Sequence, residues 1–127
     1  MMTPVIFINC KKIDYIGKIL TGEKKFETRH FNTLGGLVGR RVLFAETGNG
    51  KPEIRCSAIR KNAKQVKFLG VWSLIRDETC VPENSEHDWD FKRPGKWLYE
   101  LTEVQPCELP WKEGKRHGIV WMEYEEE

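Results

Sequence analysis

A chain of 127 residues suits one domain and can bury a core without metals or crosslinks to staple it. Its composition, 39% hydrophobic and 31% charged, is ordinary for a globular protein, and no apolar run approaches the ~20 residues that span a bilayer. The net charge of +2 conceals an asymmetry: residues 1–76 hold 15 Lys and Arg against 5 Asp and Glu, whereas residues 77–127 hold 6 against 14. A basic region of that strength suits a polyanion, or is neutralised by packing against the acidic part.

Val5 to Ile8 is a short apolar run with no basic start and no cleavage pattern, so it reads as a first β-strand and not as a signal peptide. Ile13, Ile16, Ile19 and Leu20 recur at helical spacing. Asp14 suits the helix start and Gly22 the position after the last apolar residue, so a short helix is predicted over about Ile13 to Thr21. Lys24 to Arg29 alternates like a strand. Leu34-Gly35-Gly36 reads as a loop and Arg41 to Thr47 as a strand. Thr47 to Pro52 is a turn that returns as a partner strand over Glu53 to Arg60. Gln65 to Phe68 is extended, and Val71 to Ile75 suits a short helix. Pro82 to Gly95 is a long polar loop of the kind that often carries function. Trp97 to Leu101 is a strand continuing towards Val104, Pro106 to Pro110 breaks the pattern, and Gly118 to Tyr124 is a closing strand. Many short strands with one or two short helices predict a small, partly open barrel of the α+β class. The tail Glu125-Glu126-Glu127 reads as a solvated end.

Cys10, Cys56, Cys80 and Cys107 form no Cys-x-x-Cys pair, and His30, His87 and His117 are scattered. No metal and no cofactor is therefore expected. Without a secretion signal, reduced thiols in a cytoplasm are the default. No membrane contact is expected.

The stretch with the most chemistry is Gly22-x-Lys24-x-x-Glu27-x-Arg29. Alternation along a strand places Glu27 and Arg29 on one face, about 7 Å apart. Lys24 follows the helix end, where its long side chain can reach either face. Arg29 can hold phosphate or carboxylate with a bidentate fork. Lys24 can serve as a point cation, or as a nucleophile or base if burial lowers its pKa. Glu27 can orient Lys24 or act as a general base. The purely architectural alternative is that Glu27 pairs with Arg29 or Lys24 and the cluster closes the barrel.

This motif resembles that of the ASCH domain, within the PUA-like superfamily of RNA-associated pseudo-barrels. The strand Val42 to Glu46 with its Gly-rich hairpin fits the same pattern. So do Trp97-x-Tyr99-x-Leu101-x-x-Val104, Pro110 and Gly118-Ile119-Val120-Trp121. The resemblance covers most of the chain in element order. It implies a single PUA-like β-pseudobarrel over residues 1–127, with the Lys24–Glu27–Arg29 motif lining a cleft near the barrel mouth.

Among other candidates, Trp89, beside His87, is the aromatic residue placed to cover such a cleft and stack on a base. Lys92, Arg93 and Lys96 surround Pro94-Gly95 as a basic turn, with Lys96 taken as a ligand contact. Tyr99 shares an inward pattern with Trp97 and Leu101 and is a further binding candidate. His30 is expected to face away from Arg29. Arg40-Arg41, Arg60-Lys61 and Lys64 read as surface cations for a nucleic-acid backbone.

Three functions follow from this reading. The first is a binding module for RNA or a nucleotide-like ligand, using Lys24, Glu27, Arg29, Trp89, Lys96 and Tyr99. The second is a small hydrolase: the resemblance includes a subgroup that removes an acyl group from a modified cytidine with a lysine, a threonine and a glutamate. Lys24 matches that lysine, but Glu27 stands at the threonine position, Thr28 alternates away from it, and Glu78, Glu83 and Glu100 compete for the distal glutamate. The third is a ribonuclease in which Lys24 and Arg29 stabilise the phosphorane and Glu27 acts as base.

Overall fold

The computed structural model describes residues 1–32, 35–118 and 120–126. The elements in chain order are β1 (Met2–Asn9), α1 (Tyr15–Thr21), β2 (Phe26–Arg29), a 3-10 turn (Gly35–Leu37), β3 (Arg41–Thr47), β4 (Glu53–Val66), α2 (Leu69–Ile75), a second 3-10 turn (Arg76–Thr79), β5 (Lys96–Leu109), β6 (Lys115–His117) and β7 (Trp121–Glu125). The strands form one seven-stranded sheet in the order β2-β5-β4-β3-β1-β7-β6. It is antiparallel except for the β1–β3 pair.

Strand β1 lies between β3 and β7 and is covered on both faces, which explains its unbroken apolar run. Ile6 packs with Val42, Phe44 and Cys56 against Ile16 and Ile19 of α1. Val5 and Phe7 point the other way, into a cluster with Leu43, Ile54, Met122 and Tyr124 that Trp111 covers. Each large aliphatic side chain fully buried in this way contributes about 1.5–3 kcal/mol. A third cluster, Val66, Trp72, Val81 and Leu98, fixes α2 against the ends of β4 and β5.

The register shifts along β3–β4 and β4–β5, after Phe44, Ile54, Ser57 and Lys61. Such irregularities bend strands and increase their twist. The sheet curls enough that β1 and β2, which β5, β4 and β3 separate in sheet order, line one cleft.

Several boundaries differ from the sequence expectation. The helix begins at Tyr15 because Asp14 is its N-cap, with Oδ1 accepting from Gly17 N at 3.0 Å. Strand β2 begins at Phe26, not Lys24. The extended 65–66 stretch is the end of one 14-residue strand, β4, whose Asn62 takes a positive φ of 52°. Pro106 does not end β5: it sits opposite Cys56 beside a register shift, where a missing ladder donor is tolerated. The closing strand, β7, begins at Trp121, and a further short strand, β6, precedes the expected one at Lys115–His117. Leu34 of the predicted loop, Ile119 of the C-terminal pattern and Glu127 of the tail lie outside the described residues. No described helix is long and apolar enough to cross a membrane.

Candidate functional site

Lys24 is carried inward by the way α1 ends. Gly22 adopts φ 85°, a left-handed cap that side-chain-bearing residues rarely accept, and its N–H returns to Ile19 O. Lys24 N then bonds Lys18 O at 3.0 Å, Lys25 N bonds Glu78 O at 2.7 Å, and Lys25 O accepts from Leu101 N at 2.9 Å. These bonds fix the 3-10 turn 76–79 against the start of β2. Thr79 O is thereby set to accept from Lys24 Nζ at 2.5 Å. Lys24 is only 5% exposed. Burial lowers its pKa, the charge of Glu27 partly offsets this, and the result is about 8.

Lys96 reaches the same region from β5. Gly95 precedes it at φ 130°, and a Cβ there would fall 2.2 Å from Val66 O, so the tight entry into β5 requires glycine. Lys96 is 2% exposed and its Nζ donates to His87 O. That carbonyl is held by Asp88, which accepts from Trp72 Nε1 (2.7 Å), Asn84 N (2.7 Å) and Trp89 N (2.8 Å). Burial first, then the nearby positive charge of Lys24, lowers Lys96 to about 8. His30 is also lowered, by burial and then by Lys96 and Arg93.

Glu27 is differently placed. Its Oε1 accepts from Arg29 Nε at 2.8 Å. Its Oε2 lies 2.9 Å from Arg60 Nε, an ion pair too poorly aligned for a directed hydrogen bond. The guanidinium of Arg60, which has no exposed surface, also stacks 3.8 Å from the Tyr99 ring centroid. Burial pushes Glu27 up, but the charges of Arg29 and Arg60 more than reverse that and leave it lowered. It is an ionised partner of two arginines.

The cleft has a volume of about 500 Å³. Lys24, Glu27, Thr28, Arg29 and His30 form one wall, and Lys96, His87 and Val81 another. Tyr15, Asn9, Thr47, Phe7, Ile8 and Val120 complete it. The Lys24 ammonium lies 5.1 Å from the Tyr15 ring centroid, and His87 meets that ring edge-on at 6.4 Å. Glu27 is the sole carboxylate among the described lining residues. Glu78, Glu83 and Glu100 instead face Lys25, Arg76 and Asn62 outside it.

Of the sequence candidates, Lys24, Glu27, Arg29 and Lys96 are brought together around the cleft. Trp89 does not cover it: the ring packs beside Trp72, Val81 and Leu98, so it fills the core under the loop. Tyr99 is fully buried, bonded to Asn32 Oδ1 at 2.7 Å and stacked by Arg60, and does not line the cleft. His30, expected to face away from Arg29, lines the cleft with it because β2 ends at Arg29 and alternation stops there. Arg60 is no surface cation. Along β4, Ile54, Cys56, Ser57, Ala58 and Arg60 are all buried, with register shifts after Ile54 and Ser57 that the sequence does not reveal. Tyr15 and His87 were not singled out as cleft residues, since tertiary folding alone brings them there. Elsewhere Cys10, Asp14 and Glu46 place three potential metal-ligand atoms within 4.8 Å of one another. Arg55 Nη1 already sits 2.6 Å from both carboxylates and pairs with each.

No protein-family model and no curated protein matches the chain. Its fold does match solved structures, and they show the α+β fold of an ASCH protein. The chain is similar to the crystal structure of ASCH from Zymomonas mobilis, with a TM-score of 0.67 and 20% identity over 82% of this chain and 69% of that one. A serine-to-alanine variant of that protein matches at 0.67 and 21% identity, and a tyrosine-to-phenylalanine variant at 0.66 and 20%. Each match covers 82% of this chain, with 70% and 71% of the two variant chains.

Proposed function

We propose that this chain is an ASCH-domain module that binds RNA or a nucleotide-like ligand in the cleft. The observation that carries this reading is the state of Lys24 and Lys96. Each ammonium has three N–H donors and donates one to a backbone carbonyl. Among the described residues neither forms a salt bridge, and the carboxylate between the walls is committed to Arg29 and Arg60. Buried cations are normally paired. Two of them lining one cleft, offset only in part by Glu27 and Asp88 and in no salt bridge among the described residues, suit an anionic ligand. The resemblance of the Gly22-x-Lys24-x-x-Glu27-x-Arg29 motif to ASCH domains, within a superfamily of RNA-associated pseudo-barrels, implies the same chemistry.

The test is calorimetric titration with short single-stranded RNAs and mononucleotides. Wild-type protein is expected to bind, and Lys24→Met with Lys96→Met to abolish binding while the protein stays folded. Unchanged affinity in that folded double variant sinks the proposal.

One observation favours hydrolysis as a second reading. A lysine with a pKa of about 8 has an appreciable neutral fraction near neutral pH and can act as base or nucleophile. Glu27, ionised and held by two arginines, serves this reading as an orienting charge better than as a proton acceptor. Turnover of an acylated nucleoside or a short RNA, lost in Lys24→Met, is its signature. Inertness across a broad panel of both removes it.

A further inference from the structure

We propose that Lys24 and Lys96 together form a seat for a terminal phosphate, so that the cleft selects a phosphomonoester over a nucleoside or an internal phosphodiester. The inference rests on the cleft being a nucleotide site and names which part of the ligand the two lysines hold.

Lys24 and Lys96 both line one cleft of about 500 Å³, a size that suits a single small ligand and not a passing strand. They come from opposite sides, one following α1 and one opening β5. Both are anchored to carbonyls of the same connecting segment, Thr79 and His87. That leaves each with two N–H donors. A phosphomonoester presents three terminal oxygens and carries nearly two negative charges at neutral pH. It therefore matches two neighbouring cations in charge and in acceptor number. An internal phosphodiester carries one negative charge and must leave the cleft on both sides. The positive charge of Lys24 is already felt at Lys96, which burial and that charge hold at about 8. An anion seated between them relieves the repulsion.

Two sources carry this chemistry, a free mononucleotide and a phosphorylated RNA end. The experiment is titration calorimetry of the full chain at pH 7. The probes are the four ribonucleosides, their 5′- and 3′-monophosphates, inorganic phosphate, and a short oligoribonucleotide with and without a terminal phosphate. At least one monophosphate is expected to bind about 10- to 100-fold more tightly than its nucleoside, the range of one or two charge-assisted hydrogen bonds. Lys96→Met is expected to erase that advantage, while Lys115→Gln on the exposed edge strand retains it. A mononucleotide that outcompetes the phosphorylated RNA identifies the free source, and the reverse identifies the RNA end; either supports the phosphate seat. Equal affinity for nucleoside and monophosphate overturns the seat and leaves the cleft as a nucleoside site. RNA binding indifferent to the terminal phosphate overturns the seat likewise. No binding by any probe overturns both this inference and the binding function on which it rests. The nucleoside-to-monophosphate comparison is made in wild-type protein, so it stands even if a variant fails to fold.

Discussion

Two sets of buried charges lie side by side in this protein. Around Glu27, two arginines close on one carboxylate, and Arg60 adds a stacked contact with Tyr99. At Lys24 and Lys96, two ammonium groups rest on backbone carbonyls with no carboxylate partner among the described residues. Both sets are largely buried, yet the first is built around a carboxylate and the second forms no salt bridge among the described residues. The difference separates a cluster centred on Glu27 that joins strands β2, β4 and β5 from the pair of lysines proposed as the ligand seat.

The largest effect that tests this division is on stability. Glu27→Gln removes the charge that neutralises Arg60, and breaking a buried pair in this way costs about 3–5 kcal/mol. Denaturant unfolding should show a loss of at least about 3 kcal/mol. A loss under about 1 kcal/mol breaks the comparison, because Arg60 would then not depend on Glu27. Lys24→Met and Lys96→Met should behave oppositely. Each removes an unpaired buried charge, so stability is expected to stay within about 1 kcal/mol of wild type, while ligand affinity falls at least about tenfold.

The two sets also differ in pH dependence. The lysines titrate at about 8 in the folded chain against an ordinary 10.5. Between those values the unfolded chain binds more protons than the folded one, so stability rises with pH across that window. Anion affinity runs the other way and falls as pH passes about 8. Glu27 is lowered from its ordinary 4.5. Its stabilisation is therefore complete above that value and is lost as pH falls through the folded pKa. Urea unfolding across the pH range, in wild type and in Lys24→Met, checks both limbs. An alkaline limb that persists unchanged in the variant contradicts the assignment to Lys24. The smallest effect is at Arg55→Gln, where a partly exposed arginine joins Asp14 and Glu46. About 1 kcal/mol or less is expected there, together with unaltered ligand binding.

Much of this was legible in the sequence, and for identifiable reasons. The β1 run, the α1 periodicity and the Gly22 cap are local signals, and the cleft wall from Lys24 to Arg29 follows directly from them. Lys96 was recognisable as a cation beside a glycine turn. Its burial was not, because it depends on Asp88 folding the 84–89 turn over it. A loop aromatic such as Trp89 suggests a lid in the sequence, whereas the fold packs it against the Trp72, Val81 and Leu98 cluster. Tyr99 was correctly read as inward, but inward on β5 means opposite Glu27 and against Arg60, not into the cleft. Arg60 is the instructive miss. Its charge suggests the surface, while the fold buries it against Glu27 and the Tyr99 ring, past register shifts that no alternation in the sequence marks.

The most direct measurement of the central claim is an NMR titration of the lysine side-chain nitrogens, with and without a nucleoside monophosphate. Two resonances, assigned by Lys24→Met and Lys96→Met, should titrate near pH 8 in the free protein and shift upward together when the nucleotide binds. If both titrate near 10.5 and ignore the ligand, the lysines are not a buried pair and the cleft is not their binding site.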